Sequence, residues 1–95
     1  MAQYMRELFG QMNSPDEIFA QVQEVFKTSF NIDPRLVTME TKASDIPGWD
    51  SMGHLSLASN LEQAFKISLD VDDMMEMESV REILRILQTK LAKGA

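Results

Sequence analysis

Cysteine is absent from the sequence, and histidine and tryptophan each occur once. The lack of cysteine excludes disulfides, thiolate metal sites and cysteine nucleophiles. A zinc ion would have to rely on carboxylates beside the one imidazole, an arrangement unlike the usual structural or catalytic zinc sites. We therefore expect no metal site and no thiol chemistry.

Long apolar runs are also missing. No stretch approaches the roughly 18 apolar residues needed to cross a bilayer. Arg6 and Glu7 interrupt the apolar residues near the N-terminus, which does not resemble a signal peptide. Apolar residues make up 44% and charged residues 25% of the 95 residues, a composition typical of one small globular domain and not of a disordered acidic tail. We expect a cytoplasmic monomer with no membrane association.

Basic residues are scarce between residues 50 and 80, although elsewhere acids and bases balance. The net charge is −6. Residues 50–80 contain Lys66 against seven acids, namely Asp50, Glu62, Asp70, Asp72, Asp73, Glu76 and Glu78. Such a surface repels nucleic acid and anionic membranes and attracts basic protein partners. A solvated acidic face that only aids solubility is the alternative.

Apolar periodicity predicts three main helices and one short helix, and hence an all-α fold. The predicted helices cover residues 15–29, 51–65, 72–75 and a last segment from residue 80. Residues 30–48 form a long connection with turn signals, and residues 67–71 an extended loop. The predicted inward residues are Ile18, Val22, Val25 and Phe26; then Leu55, Ala58, Leu61 and Phe65, with Met52 and Leu57 at the edges; then Val80, Ile83, Leu84, Leu87 and Leu91.

Residues 1–13 precede this pattern as an extension. A possible amphipathic helix there comprises Tyr4, Met5, Leu8, Phe9 and Met12, and Gly10 weakens it. Such a helix would pack on the domain, fray or bind a partner. We expect the domain to cover residues 14–92 and a short tail to cover residues 93–95.

The start of the second helix carries one exposed hydroxyl. Asp50 is a suitable N-cap, because its side chain accepts hydrogen bonds from the free N–H groups of the first turn. Ser51 then occupies the first helical position, beside the positive end of the helix dipole, which stabilises anions such as phosphate. Gly48 belongs to a turn that leaves this hydroxyl accessible.

The residues around Ser51 resemble a known family. Asp50-Ser51-Met52, followed by Leu55, Leu57, Leu61, Glu62 and Phe65, is similar to the Asp-Ser-Leu signature and second helix of acyl carrier proteins. The resemblance extends from about Ser14 to Leu91. It implies a four-helix bundle with a short third helix and a long first loop. It also implies a carrier and not an enzyme, with 4'-phosphopantetheine on Ser51 holding acyl groups as thioesters, and Asp50 and Met52 completing the attachment motif.

The implied partners are a phosphopantetheinyl transferase and acyl-loading and acyl-processing enzymes with basic docking surfaces. We expect the partner surface to include Trp49, His54, Glu62, Asp72, Asp73 and Glu76. The second helix has Gly53, Ser56 and Gln63 where fatty-acid carriers often have acids. The sequence therefore favours a specialised carrier, in polyketide, secondary-metabolite or specialised lipid synthesis. A D-alanyl or amino-acid carrier and an unmodified protein-interaction domain are the alternatives.

Other chemistries find little support around this site. Ser51 and His54 are three residues apart, but no residue orients the imidazole and no Gly-x-Ser-x-Gly elbow is present, so a hydrolase is disfavoured. Asp70, Asp72 and Asp73 do not form a calcium loop, because Met75 and Arg81 stand where such a loop has glycine and glutamate.

The three methionines near residue 75 have a simpler interpretation. We expect Met74 and Met77 to fill the core. In the resembled family the third helix lines a cavity that shelters an acyl chain, and flexible methionines there would let it adapt to different chains.

Overall fold

The computed structural model describes residues 14–94, with side chains to residue 92, and has four α-helices. Helix α1 spans Pro15–Phe30, α2 Ser51–Phe65, α3 Val71–Glu76 and α4 Val80–Gly94. Within residues 14–94, extended pairing is limited to one isolated bridge between Lys42 and Ser79. The predicted fold, three main helices and a short third one, is confirmed. The predictions for residues 1–13 lie outside the described residues.

Helix α1 begins and ends as its sequence predicts. The Ser14 hydroxyl accepts a hydrogen bond from the Glu17 N–H at 3.2 Å, and Pro15 occupies the first helical position. The helix ends at Asn31, which adopts the left-handed conformation that asparagine tolerates. Its predicted stripe of Ile18, Val22, Val25 and Phe26 is fully buried.

The long connection between α1 and α2 is pinned to the rest of the domain. It contains two 3-10 turns, at Pro34–Leu36 and Ala43–Asp45. The Val80 N–H donates to the Thr41 carbonyl at 2.9 Å, and the Ala43 N–H donates to the Glu78 carbonyl at 3.2 Å. The loop therefore crosses the start of α4 and is held there through its backbone.

The core lies between α1, α2 and α4, with contributions from the long connection. Its buried apolar members beyond α1 are Val37, Ile46, Trp49, Leu57, Ala58, Leu61, Phe65, Leu69, Met77, Val80, Ile83, Leu84, Ile86 and Leu87. The placement predicted for Leu55 is wrong, since it is 58% exposed, and Met52 is 75% exposed. Leu57, predicted at the edge of the stripe, is fully buried, whereas Ala58, Leu61 and Phe65 are buried as predicted.

Helix α3 is a short segment held mainly by polar contacts. Asp70 caps it, with the Asp73 N–H donating to the Asp70 carboxylate at 2.8 Å. Its acidic residues then reach α4, through ion pairs of Asp73 with Lys90 at 2.7 Å and of Glu76 with Arg85 at 2.8 Å. These contacts are needed because a six-residue helix does not persist on its own.

None of the helices within residues 14–94 is both long enough and apolar enough to span a bilayer.

Candidate functional site

Ser51 is exposed at the first position of α2, as the sequence predicts. The Asp50 carboxylate accepts from the Gly53 N–H at 2.9 Å, and the Asp50 carbonyl accepts from the His54 N–H at 2.7 Å. Of the free N–H groups of the first turn, that of Gly53 is thereby satisfied by the cap, while the bond from His54 is the first backbone hydrogen bond of the helix itself. Those of Ser51 and Met52 have no acceptor within the helix, and they lie next to the serine hydroxyl.

A close approach of two glycines fixes the turn before Ser51. Gly48 has φ of 92°, in the left-handed region where side chains are strained. A Cβ built on Gly53 would lie 1.8 Å from the Gly48 carbonyl oxygen. Because no atom can occupy that space, Gly53 is required for the turn to pack against the first turn of α2.

Trp49 is buried, which corrects the prediction that it belongs to a partner surface. Its side chain is 6% exposed. The indole meets Phe26 edge-on with ring centroids 5.2 Å apart, and stacks on Phe30 at 6.0 Å. Trp49 thus anchors the residues before Ser51 to α1, through aromatic contacts.

His54 is half-buried rather than a surface residue. The Trp49 indole N–H donates to His54 Nδ1 at 2.8 Å, and His54 Nε2 lies 2.7 Å from the Met74 carbonyl oxygen. Both ring nitrogens are occupied, so the imidazole has no lone pair free to act as a base for Ser51. The expectation that no residue orients the imidazole is wrong, since Trp49 and the Met74 carbonyl hold the ring. A hydrolase is disfavoured instead because these contacts occupy the nitrogens that a base would need.

An open groove of about 640 Å³ lies beside Ser51, between α2 and α3. Trp49, Asp50, Ser51, His54, Leu55, Val71, Met74, Met75, Met77 and Glu78 line it, together with Ala43. Leu55, Val71 and Met75 are more than half exposed on its rim. Met77 is buried and Met74 packs partly against the core, which confirms their predicted placement. A polar attachment point therefore stands at the mouth of a mostly apolar groove.

The acidic residues expected on a partner surface have different surroundings. Glu62 is half-buried and accepts from the Leu69 N–H at 2.8 Å, so it holds the loop after α2. Asp73 is engaged by Lys90, whose hydrogen bond lowers the pKa of the Asp73 carboxyl below its usual value. Asp72 is exposed, and so is Glu76 despite its pair with Arg85. The bond of Glu62 to the loop after α2 and the ion pair of Asp73 with Lys90 were not predicted from the sequence.

The comparisons with known proteins agree on one family. Residues 20–87 match the family described as "Phosphopantetheine attachment site". The chain is 30% identical over 80 residues to an acyl carrier protein of Thermotoga maritima, covering 84% of this chain and 99% of that protein. It is 32% identical over 82 residues to the non-reducing polyketide synthase tazA of Aspergillus terreus, covering 86% of this chain and 3% of that one.

A solved structure has the same architecture. The solution structure of a holo acyl carrier protein from Geobacter metallireducens matches with a TM-score of 0.73 and 29% identity, over 80% of this chain and 87% of that one.

Proposed function

Because the chain belongs to the acyl carrier protein family, we propose that Ser51 carries the 4'-phosphopantetheine arm characteristic of that family. The carrying observation is the exposed Ser51 hydroxyl at the first position of α2, at the mouth of the groove. Members of this family are carriers and not catalysts, and the arm supplies a terminal thiol that holds an acyl group as a thioester.

The residues around Ser51 fit a phosphodiester. The N–H groups of Ser51 and Met52 lack helical acceptors, and they point from the positive end of the α2 dipole. That end favours an adjacent negative charge, typically by about 0.3 to 1 kcal/mol at an exposed position. The Asp50 carboxylate is held by the Gly53 N–H, which fixes the helix start where the hydroxyl must be presented to a modifying enzyme.

The exposed residues near Ser51 suggest a docking surface for partner enzymes. Met52, Leu55, Val71 and Met75 are large apolar side chains that remain exposed around the groove. Asp72 adds negative charge on α3. We infer that the phosphopantetheinyl transferase and acyl-processing partners contact this apolar patch while their basic residues meet Asp72. Trp49 lines the groove but is buried, so it adds little to this surface.

A specialised pathway is the second part of the proposal. Fatty-acid carriers often present acids along the second helix, whereas a side chain at Gly53 is blocked by the Gly48 carbonyl and Ser56 is uncharged. The similarity to a segment of a polyketide synthase supports a role in polyketide or related secondary-metabolite or lipid synthesis. An acidic residue at position 53 is therefore incompatible with the close approach of Gly53 to the Gly48 carbonyl in the turn before Ser51.

Intact mass spectrometry tests the attachment site. The protein is incubated with coenzyme A, magnesium and a promiscuous phosphopantetheinyl transferase, and then weighed. We expect the wild type to gain one phosphopantetheine group and Ser51→Ala to gain none. Ser56→Ala, which removes another exposed serine of α2, is the matched control and should be modified like the wild type.

Two results would contradict the proposal. An unchanged mass of the wild type would favour an unmodified interaction domain. A mass gain in Ser51→Ala equal to that of the wild type would place the attachment elsewhere.

A further inference from the structure

The one tryptophan and the one histidine of the chain form a hydrogen-bonded pair at the edge of the groove. The Trp49 indole N–H can only donate, so His54 Nδ1 must accept at 2.8 Å. The Met74 carbonyl can only accept, so the proton of the imidazole is on Nε2, 2.7 Å away. His54 is therefore neutral, in a single tautomer, with both nitrogens engaged.

The carbonyl that His54 reaches belongs to the end of α3. The last carbonyls of a helix have no partner four residues on. Met74 accepts from the Met77 N–H at 3.2 Å, and His54 Nε2 gives its carbonyl a second hydrogen bond. His54 thus satisfies and holds the C-terminal turn of a helix that is too short to persist alone.

This hydrogen bond crosses the groove, unlike the other polar contacts of α3. The ion pairs of Asp73 and Glu76 both run to α4. Within residues 14–94, the bond from His54 is the one hydrogen bond that joins α3 directly to α2. The apolar side chains on the two rims do not close the gap, since Leu55 is 58% and Met75 71% exposed.

We propose that His54 is a positioning residue that sets the separation of α3 from α2, and with it the width of the groove beside Ser51. Without this bond, α3 stays on α4 through its ion pairs but moves more freely relative to α2. The groove then admits a wider range of apolar chains. That the groove receives an acyl chain rests on the proposed function. The hydrogen bond between His54 and the Met74 carbonyl is a property of the folded chain alone.

Two substitutions of His54 distinguish the roles of its two ring nitrogens. The amide of glutamine reaches the position of Nε2, so His54→Gln keeps a donor for the Met74 carbonyl. The amide of asparagine reaches only the position of Nδ1, so His54→Asn loses that donor. Ser56→Ala, at an exposed position of the same helix, is the control.

Amide hydrogen exchange of the apo protein measures how much the hydrogen bond from His54 to the Met74 carbonyl stabilises α3. We expect the amides of Met74 and Met77 to exchange about 2- to 10-fold faster in His54→Asn, the range for one net hydrogen bond. In His54→Gln they should stay within about twofold of the wild type, for the same reason. Amides in the middle of α1 and α4 should be unchanged, since the core is not touched. Equal rates in all proteins, or equal acceleration by both substitutions, would overturn the proposal.

The mass measurement keeps this test separate from the proposed function. Each variant is also incubated with coenzyme A and the transferase, and weighed. A wild type that is not modified refutes the carrier proposal and leaves the exchange result standing. A modified wild type whose α3 amides do not respond to His54→Asn refutes the link alone.

Discussion

Replacing Gly53 with alanine sets two physical effects against each other. Alanine is the better helix former, by about 1 kcal/mol at an interior position. Gly53 lies in the first turn of α2, so propensity alone predicts a more stable protein. In the structure, however, the new Cβ would lie 1.8 Å from the Gly48 carbonyl oxygen and 3.0 Å from a ring carbon of Phe30.

The atom that blocks a side chain at Gly53 is the backbone carbonyl oxygen of Gly48, and this decides whether Gly53→Ala stabilises or destabilises the protein. A ring can rotate, but the Gly48 carbonyl can move away only if the turn before Ser51 or the start of α2 shifts. The distance must open from 1.8 Å to at least 3.0 Å. Overpacking of this kind costs about 1 to 3 kcal/mol, and the rigid obstacle favours the upper end. We therefore expect Gly53→Ala to destabilise the protein by about 1 to 2 kcal/mol net, combining this cost with the propensity gain.

Thermal and urea unfolding measure this difference. For a domain of this size, about 1 kcal/mol corresponds to roughly 4 to 8 °C in Tm. Ser56→Ala, an alanine at an exposed position of the same helix, should be neutral or slightly stabilising, because propensity acts there without a clash. A Gly53→Ala protein as stable as the wild type would show that the turn moves freely, and would refute the reasoning.

Two further predictions concern Asp50, which caps α2, and Asp73, which pairs with Lys90. Asp50→Ala should lower the free energy of unfolding by about 0.5 to 2 kcal/mol, whereas Asp50→Asn should retain most of the cap. Urea unfolding measures both variants, and equal losses of stability would argue against capping. Lys90 holds the pKa of Asp73 below 3.8, so this ion pair stabilises the fold above that pH and its contribution disappears as the pH falls through the lowered pKa. The stability difference between wild type and Asp73→Asn should therefore shrink from pH 7 to pH 3 in thermal unfolding, and a difference that grows would contradict this sign.

Local signals in the sequence predicted the helix boundaries well. Helix α2 spans residues 51–65 as predicted, because Asp50 caps it and the apolar spacing is intrinsic to that segment. The start of α1 at Pro15 follows from Ser14 for the same reason. These features depend on contacts within a few residues, so no knowledge of the remaining chain is required.

The buried face of α2 was harder to predict than its ends. Residues 54, 58, 61 and 65 share one helical face, with the spacing of an apolar stripe. Leu55 was predicted on that face and His54 outside, because a leucine is more often buried than a histidine. The helical spacing from His54 to Ala58 and Leu61 was the one sequence signal that indicated a buried position for His54.

The sequence by itself determined the helical architecture, the capped start at Ser51 and the family, because all three depend on local pattern. Only the tertiary structure decided that Trp49 is buried and that His54 lies between two helices. Burial of a polar side chain requires partners, and these come from distant positions: Phe26 and Phe30 on α1, and the Met74 carbonyl 20 residues beyond His54. Which segments meet is a property of the packed core, and no local pattern specifies it.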